Sequence, residues 1–267
     1  MNWREKIEAA EPPEPTNRKH ILALSGGKDS TAMAIACARY EPAEYTYVCT
    51  PTGDELPEME AHWTKLEGLL GAPIIRLDGH TLMGLIIQQE MLPNHRARWC
   101  TRIIKLERYY GWLAQQGPVI SHVGLRADEE SRPGMIFPDM GEVVMDFPMR
   151  RWGWTVEDVM AFLAEEGVSI PDRTDCAVCF WQKLGEWYLL WRDYPERYER
   201  YERGEHAEEY VTIKRGTPFT FRSPQRDNWP ASLKELRQEF ERGRVPERSL
   251  RMMDKRRLVG ACRVCTL

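Results

Sequence analysis

The run His20-Ile21-Leu22-Ala23-Leu24-Ser25-Gly26-Gly27-Lys28-Asp29-Ser30 constrains this chain more than any other feature. It is a short apolar strand that empties into a glycine-bearing turn and then a helix. Two adjacent glycines let the backbone turn tightly and bring several N–H groups towards one anion. The helix from Ser30 points its N-terminus at the same place. Ser25 and Ser30 add hydroxyl groups, and Lys28 adds a compact positive charge. Asp29, an acid beside an anion, is assigned a structural or magnesium-linked role. The spacing is neither the Gly-x-x-x-x-Gly-Lys-Ser/Thr loop nor the dinucleotide Gly-x-Gly-x-x-Gly pattern. Without context, the same residues also read as a Gly-Gly turn before a Ser-capped helix.

The first half of the chain supplies a context. Residues Ile21–Leu24, Tyr45–Thr50, Pro73–Leu77 and Val119–Gly124 read as strands. Between them Ser30–Tyr40, Pro57–Leu70, His80–Met91 and Thr101–Gln115 read as helices. Alternation of this kind predicts an α/β fold, a doubly wound parallel sheet with ligand at the carboxyl ends of its strands. Ser25, Thr50–Asp54 and Gly124–Arg126 all fall there. The expected organisation is a polar segment (1–18), a nucleotide-binding α/β domain (19–150) and a helical, cysteine-bearing region with a basic tail (151–267). No apolar stretch approaches the roughly 20 residues of a membrane helix, and residues 1–19 are polar, acidic and Pro-rich, unlike a signal peptide. A cytoplasmic location is expected, with no membrane partner. There the seven cysteines are metal ligands or redox thiols rather than disulfides. The net charge of −4 hides a basic C-terminal stretch from Lys234 to Arg263. It reads either as a solvated helix face or as a patch for nucleic acid.

The Ser25–Ser30 turn resembles the PP-loop of adenine nucleotide alpha-hydrolases, which split ATP between the alpha and beta phosphates. Gly124-Leu125-Arg126, with Glu130-Ser131 after it, narrows the likeness to the phosphoadenosine phosphosulfate reductase family, although that pair sits one residue further along than in the family. The resemblance covers about residues 18–195. It implies that Ser25, Gly26, Gly27, Lys28, Asp29, Ser30, Asp54, Gly124 and Arg126 bind the nucleotide, with Arg126 on its phosphates and Asp54 near the adenosine. It also implies ATP with Mg2+ as cofactor.

Cys176-Ala177-Val178-Cys179 and Cys262-Arg263-Val264-Cys265 form two Cys-x-x-Cys pairs, and Cys100 stands alone. The two pairs can build a four-cysteine Zn2+ site. Similarity to sulfonucleotide reductases implies instead a 4Fe-4S cluster on Cys100, Cys176 and Cys179. In those reductases two adjacent cysteines occupy the first position; here the neighbour is Trp99. The fourth ligand is then Cys262 or Cys265, the other remaining free for chemistry, or an open iron binds sulfide. Cys37 and Cys49 read as small core residues. The aromatic residues from Trp181 to Tyr210 fit amphipathic helices broken at Pro195.

Because the loop is intact, the resemblance favours an ATP-dependent sulfurtransferase of the iron-sulfur DNA phosphorothioation and tRNA thiolation type. Lys28 and Asp29 would work on the phosphates, and Cys262 or Cys265 would carry sulfur. The expected partners are a sulfur donor such as a cysteine desulfurase, or a thioredoxin-like reductant, and nucleic acid through the basic tail. The alternatives are a sulfonucleotide reductase that releases sulfite and a zinc-stapled nucleotide-binding module without turnover.

Overall fold

In the computed structural model, residues 1–11, 13, 16–129, 142–206, 219–224 and 226–258 are described, the last four by their backbone alone. Five parallel strands form one sheet in the order β3-β2-β1-β4-β5. They are β1 (Lys19–Ala23), β2 (Tyr45–Cys49), β3 (Ile74–Arg76), β4 (Val119–His122) and β5 (Val143–Asp146). The register sets Leu22 beside both Tyr47 and His122, so the strand ends leading to the three predicted ligand-binding segments lie side by side. An order that reverses at β1 puts the crevice between the β1 and β4 ends, where the glycine turn follows β1.

Helices cover both faces. Six elements precede β4: α1 (Trp3–Ala9), α2 (Lys28–Tyr40), α3 (Pro57–Leu70), α4 (Leu82–Gln89), a π-helical segment (Thr101–Glu107) and its continuation α5 (Arg108–Leu113). After β5 come α6 (Pro148–Arg151), α7 (Val156–Glu165), α8 (Leu184–Asp193), α9 (Pro195–His206), α10 (Leu233–Glu241) and α11 (Glu247–Leu258). Tyr109 and Leu113 pack with Ile21 and Val119 on one face of the sheet. On the other, Leu22 and Leu24 pack with Ala34, Trp152, Trp154 and Phe162.

Two boundaries differ from the sequence reading. The first eighteen residues include a folded helix: Trp3 and Ile7, four apart, share its buried face, and the Trp154 indole donates to Trp3 O at 3.0 Å. Beyond residue 150, α7 packs on α2, because Val159, Phe162 and Leu163 present one apolar stripe to the sheet's helical cover. β5 was not foreseen. It is held through side chains: the Asp146 carboxylate and the His122 ring are 2.9 Å apart, and His122 and His20 are 2.9 Å apart. His122 and Arg151 together hold the Asp146 carboxyl near 2 although burial opposes its charge.

A second core joins the sheet domain to the helical region. Leu85, Ile86, Trp99 and Ile104 pack with Ala177, Trp187, Tyr198, Tyr201 and Phe240. The aromatic stretch is therefore two helices broken at Pro195, with rings turned inward, as its spacing predicts. Cys37 and Cys49 are buried in the first core, and burial pushes the Cys49 thiol up to about 12.

Candidate functional site

The cradle is built from three segments. Gly26 adopts φ +83°, a left-handed conformation that favours glycine, and a Cβ there would lie 2.1 Å from Met59 Cε. Gly27 caps α2 without a side-chain bond. The Ser30 hydroxyl organises the turn: Gly26 N donates to it at 3.1 Å, it donates to Gly27 O, and Ser25 Oγ stands 3.0 Å away. Gly124 closes the cradle from β4. A Cβ on it would stand 3.2 Å from Ser30 N and Cα, so only glycine allows this approach without displacing either backbone.

Charge in the cradle is centred on Asp29. Its Oδ2 lies 2.9 Å from Lys28 Nζ and 2.9 Å from Arg126 Nη1, and all three residues are buried. Arg126 also pairs with Asp128 at 2.8 Å and lies 3.6 Å from Glu129. Burial opposes the Arg126 charge, but Asp128, Asp29 and Glu129 outweigh it and hold the guanidinium above its ordinary value. Arg126 thus pairs locally with Asp128 and also reaches Asp29 of the loop. Asp29 gains the structural role, orienting the two cations that a phosphate would meet.

α3 adds residues that the sequence did not reveal. His62 is buried, with Nε2 3.4 Å from Thr31 Oγ1. Burial, assisted by Lys65, lowers its pKa to about 4 against a bond to the Gly26 backbone, so the ring is neutral at pH 7. The Trp63 indole donates to Ser25 O at 3.3 Å. No spacing rule links α3 to the loop; the sheet crossover brings them together.

The Cys176–Cys179 turn is fastened beside this cradle. Ala177 N donates to Asp54 O at 2.6 Å, and Glu55 and Cys176 form an antiparallel bridge. A Cβ on Gly27 would stand 3.7 Å from Thr174 Oγ1, which places the approach to the turn against the loop. Arg173 donates to Cys176 O at 2.8 Å and to Ala177 O at 3.3 Å, pinning the turn from within. The Asp54 side chain is engaged by α9. Burial raises its pKa, countered by the nearby Tyr201 hydroxyl and by Arg200, 3.8 Å away. Its expected place near an adenosine is thus shared with a structural task. Thr52 donates through N and Oγ1 to Glu55, at 2.7 Å each, and α3 begins after Leu56 with Pro57 in its first turn and no side-chain cap.

Cys176 is in hydrogen-bond contact with Cys179, and Cys100 lies within electrostatic reach of Cys176. A hydrogen bond with Cys179, followed by burial, raises the Cys176 thiol, while Lys105 lowers it. Cys100 is raised by burial and by Cys176, and lowered by Thr101 and Lys105. Among the described residues no group of three or more His, Cys, Asp or Glu is arranged to hold a metal ion. Cys262 and Cys265, and likewise Glu130 and Ser131, lie outside the described residues. Trp99 Nε1, Trp181 Nε1, Gln182 Nε2 and Trp187 Nε1 are buried N–H donors without an acceptor among the described residues. Among the described residues the three thiols therefore do not by themselves make a metal site, and a group held there would need further ligands.

A glycine cradle at the carboxyl ends of a parallel sheet, with two cations poised on one acid, has the form of a PP-loop nucleotide cradle. Residues 19–172 match the phosphoadenosine phosphosulfate reductase domain, and the chain belongs to that family. It is 25% identical over 203 residues to the uncharacterized protein MJ0066 of Methanocaldococcus jannaschii, covering 71% of this chain. The match spans 42% of that curated relative's length. Among solved structures, it is similar to the phosphoadenylyl-sulfate reductase of Candida auris in its phosphate complex, with 13% identity and a TM-score of 0.47 over 64% of this chain and 82% of that one. It is also similar to the NH3-dependent NAD synthetase of Campylobacter jejuni in complex with nitrate, with 14% identity and a TM-score of 0.45 over 92% and 98%. No helix among the described residues is long and apolar enough to cross a membrane.

Proposed function

We propose that this chain is an ATP-dependent sulfurtransferase: it cleaves ATP between the alpha and beta phosphates, attaches AMP to an acceptor oxygen and replaces that oxygen with sulfur. One observation carries this reading. The thiol turn is fastened to the loop after β2, Asp54 O receiving Ala177 N at 2.6 Å, and that loop runs into α3, whose Trp63 indole donates to Ser25 O of the cradle at 3.3 Å. In the first step the acceptor oxygen attacks the alpha phosphorus and pyrophosphate leaves. Lys28, Arg126 and the loop amides stabilise its charge, with Mg2+ as counter-ion. In the second, the outer sulfur of a cysteine persulfide attacks the activated centre, and AMP departs with the oxygen. A second thiol then takes the persulfide's inner sulfur into a disulfide, releasing the transferred sulfur. A dithiol reductant returns two electrons. Cys176 or Cys179 would supply the second thiol and Cys262 or Cys265 would bring the sulfur, the reductant being an external, thioredoxin-like dithiol. If a 4Fe-4S cluster is present, Cys100, Cys176 and Cys179 are the residues that would hold it, and it would supply sulfide; with Zn2+ the same residues would act as a staple.

The family match favours a second reading, reduction of a sulfonucleotide by a thiolate, with sulfite released after a dithiol attacks the enzyme's S-sulfonate. The two readings separate in one assay. ATP labelled in the alpha phosphate, incubated with the protein, nucleic acid and a persulfide donor, is expected to give labelled AMP and pyrophosphate. Sulfite from a sulfonucleotide, with ATP untouched, would overturn the first reading. ATP binding without any product would leave only the binding module.

A further inference from the structure

Between the start of α8, the loop 226–229 and the start of α11 lies a cavity of about 560 Å³. Its apolar lining includes Trp229, Met252 and Met253, and its cationic lining is Lys183, Arg226 and Arg248. The volume falls within the range of small-ligand sites. Its carboxylates are already engaged or turned aside: Asp227 receives both bonds of one Arg222 nitrogen, at 2.8 and 2.9 Å, and Glu247 lies 4.0 Å from Arg251. Neither Arg226 nor Arg248 has an ion-pair partner among the described residues. Burial and the neighbouring Arg222 lower the Arg226 pKa, against Asp227.

The basic stretch as a whole is less available than its composition implies. Arg242 and Arg244 share Glu239, at 2.6 and 3.0 Å, and Arg237 is held by Glu202 and Glu241. Net positive charge therefore gathers at the cavity rather than along α10. An aromatic ring, soft methionine surfaces and cations together match a planar base joined to a phosphate. Trp229 already carries the Arg244 guanidinium 3.8 Å from its ring centroid and packs on Phe240, so a base would meet only the part of the ring that lines the cavity, beside the methionines; a purely apolar ligand would leave the arginines facing it.

We propose that this cavity binds one nucleotide of a single-stranded nucleic acid, the base against Trp229 and the methionines and the phosphate on Arg226 and Arg248. It deepens the reading given above and rests on it for its purpose, that of holding the acceptor. The position suits that purpose. Arg226 donates to Gln182 O at 3.1 Å, and the Gln182 side chain accepts from Cys179 N at 3.0 Å. One buried residue thus links the cavity to the thiol turn.

The test uses the full chain, fluorescein-labelled 12-nucleotide single strands and AMP as competitor, read by anisotropy. Arg248→Glu is expected to weaken the 12-mer at least tenfold, to reduce the salt slope by about one, and to leave the melting temperature unchanged. Trp229→Leu is expected to weaken it several-fold, and Lys28→Ala to leave it unchanged. Equal competition by AMP, mole for mole, would keep the site and assign it to free nucleotides. Unaltered 12-mer binding in both Arg248→Glu and Trp229→Leu, or no binding of either probe, would overturn the site. Pyrophosphate release from ATP, measured in parallel, shows whether the sulfurtransferase reading survives on its own.

Discussion

Gly124→Ala is a small perturbation with a large expected effect. The added methyl group would sit 3.2 Å from Ser30 N and Cα and 3.3 Å from Asp29 C, all backbone atoms of the α2 start. None can rotate away, so either the β4 loop or the phosphate turn must retreat by a few tenths of an ångström. Overpacking of this kind costs about 1–3 kcal/mol. For a chain of this size each kcal/mol lowers the melting temperature by about 2–4 °C. If about 1 kcal/mol of the cost falls on restoring the loop for nucleotide, ATP affinity drops roughly fivefold. Gly111→Ala serves as control, since nothing lies within 4 Å of its added methyl group in α5. It is expected to be neutral or slightly stabilising. Thermal melts and calorimetric ATP titrations of both variants check this. A Gly124→Ala protein with wild-type melting temperature and ATP affinity would refute the close packing of β4 on the phosphate turn.

Lys28→Ala is expected to reduce nucleotide cleavage by at least a hundredfold while leaving Asp29 paired with Arg126 and the fold intact; circular dichroism and product assays test both. His62 has its folded pKa depressed from 6.5 to about 4. It contributes full stability above pH 6.5 and loses it as pH falls towards 4, by up to about 3 kcal/mol. Urea midpoints at pH 7.5 and 4.5 should therefore fall more in wild type than in His62→Gln, and equal falls would contradict a buried neutral ring. Tyr201→Phe removes the hydroxyl that faces Asp54 and is expected to cost about 1 kcal/mol. It should also speed alkylation of Cys176, because Asp54 anchors the thiol turn; an unchanged rate would detach α9 from that task.

What the sequence showed plainly was local. The β1 turn could be read because glycine placement and a short apolar strand carry their own geometry, whereas Gly124 and Arg126 were singled out by the family resemblance. α2 begins at Lys28, two residues before the expected Ser30, because the hydroxyl of Ser30 works back onto the turn instead of capping the helix. β5 escaped notice because Val143–Asp146 is four residues long and only half-buried, with its acid serving a histidine on the next strand. α1 was hidden by polar and proline-rich neighbours, although Trp3 and Ile7 carry helical spacing. Thr101–Gln115 reads as one amphipathic helix, but its first seven residues wind as a π-helix that ends with Lys105 near the thiols. His62, Trp63, Arg173, Thr174 and Tyr201 reach the site only through sheet crossovers and the second core, a tertiary effect that no spacing records.

The claim on which the rest depends is that the phosphate cradle and the thiol turn are walls of one crevice. Iodoacetamide labelling of Cys176 and Cys179, followed residue by residue by mass spectrometry with and without a non-hydrolysable ATP analogue, tests it directly. Nucleotide is expected to slow alkylation of at least one of the two thiols tenfold or more in wild type and to have no effect in Lys28→Ala. Equal rates with and without saturating nucleotide, in a protein shown to bind it, would contradict the shared crevice.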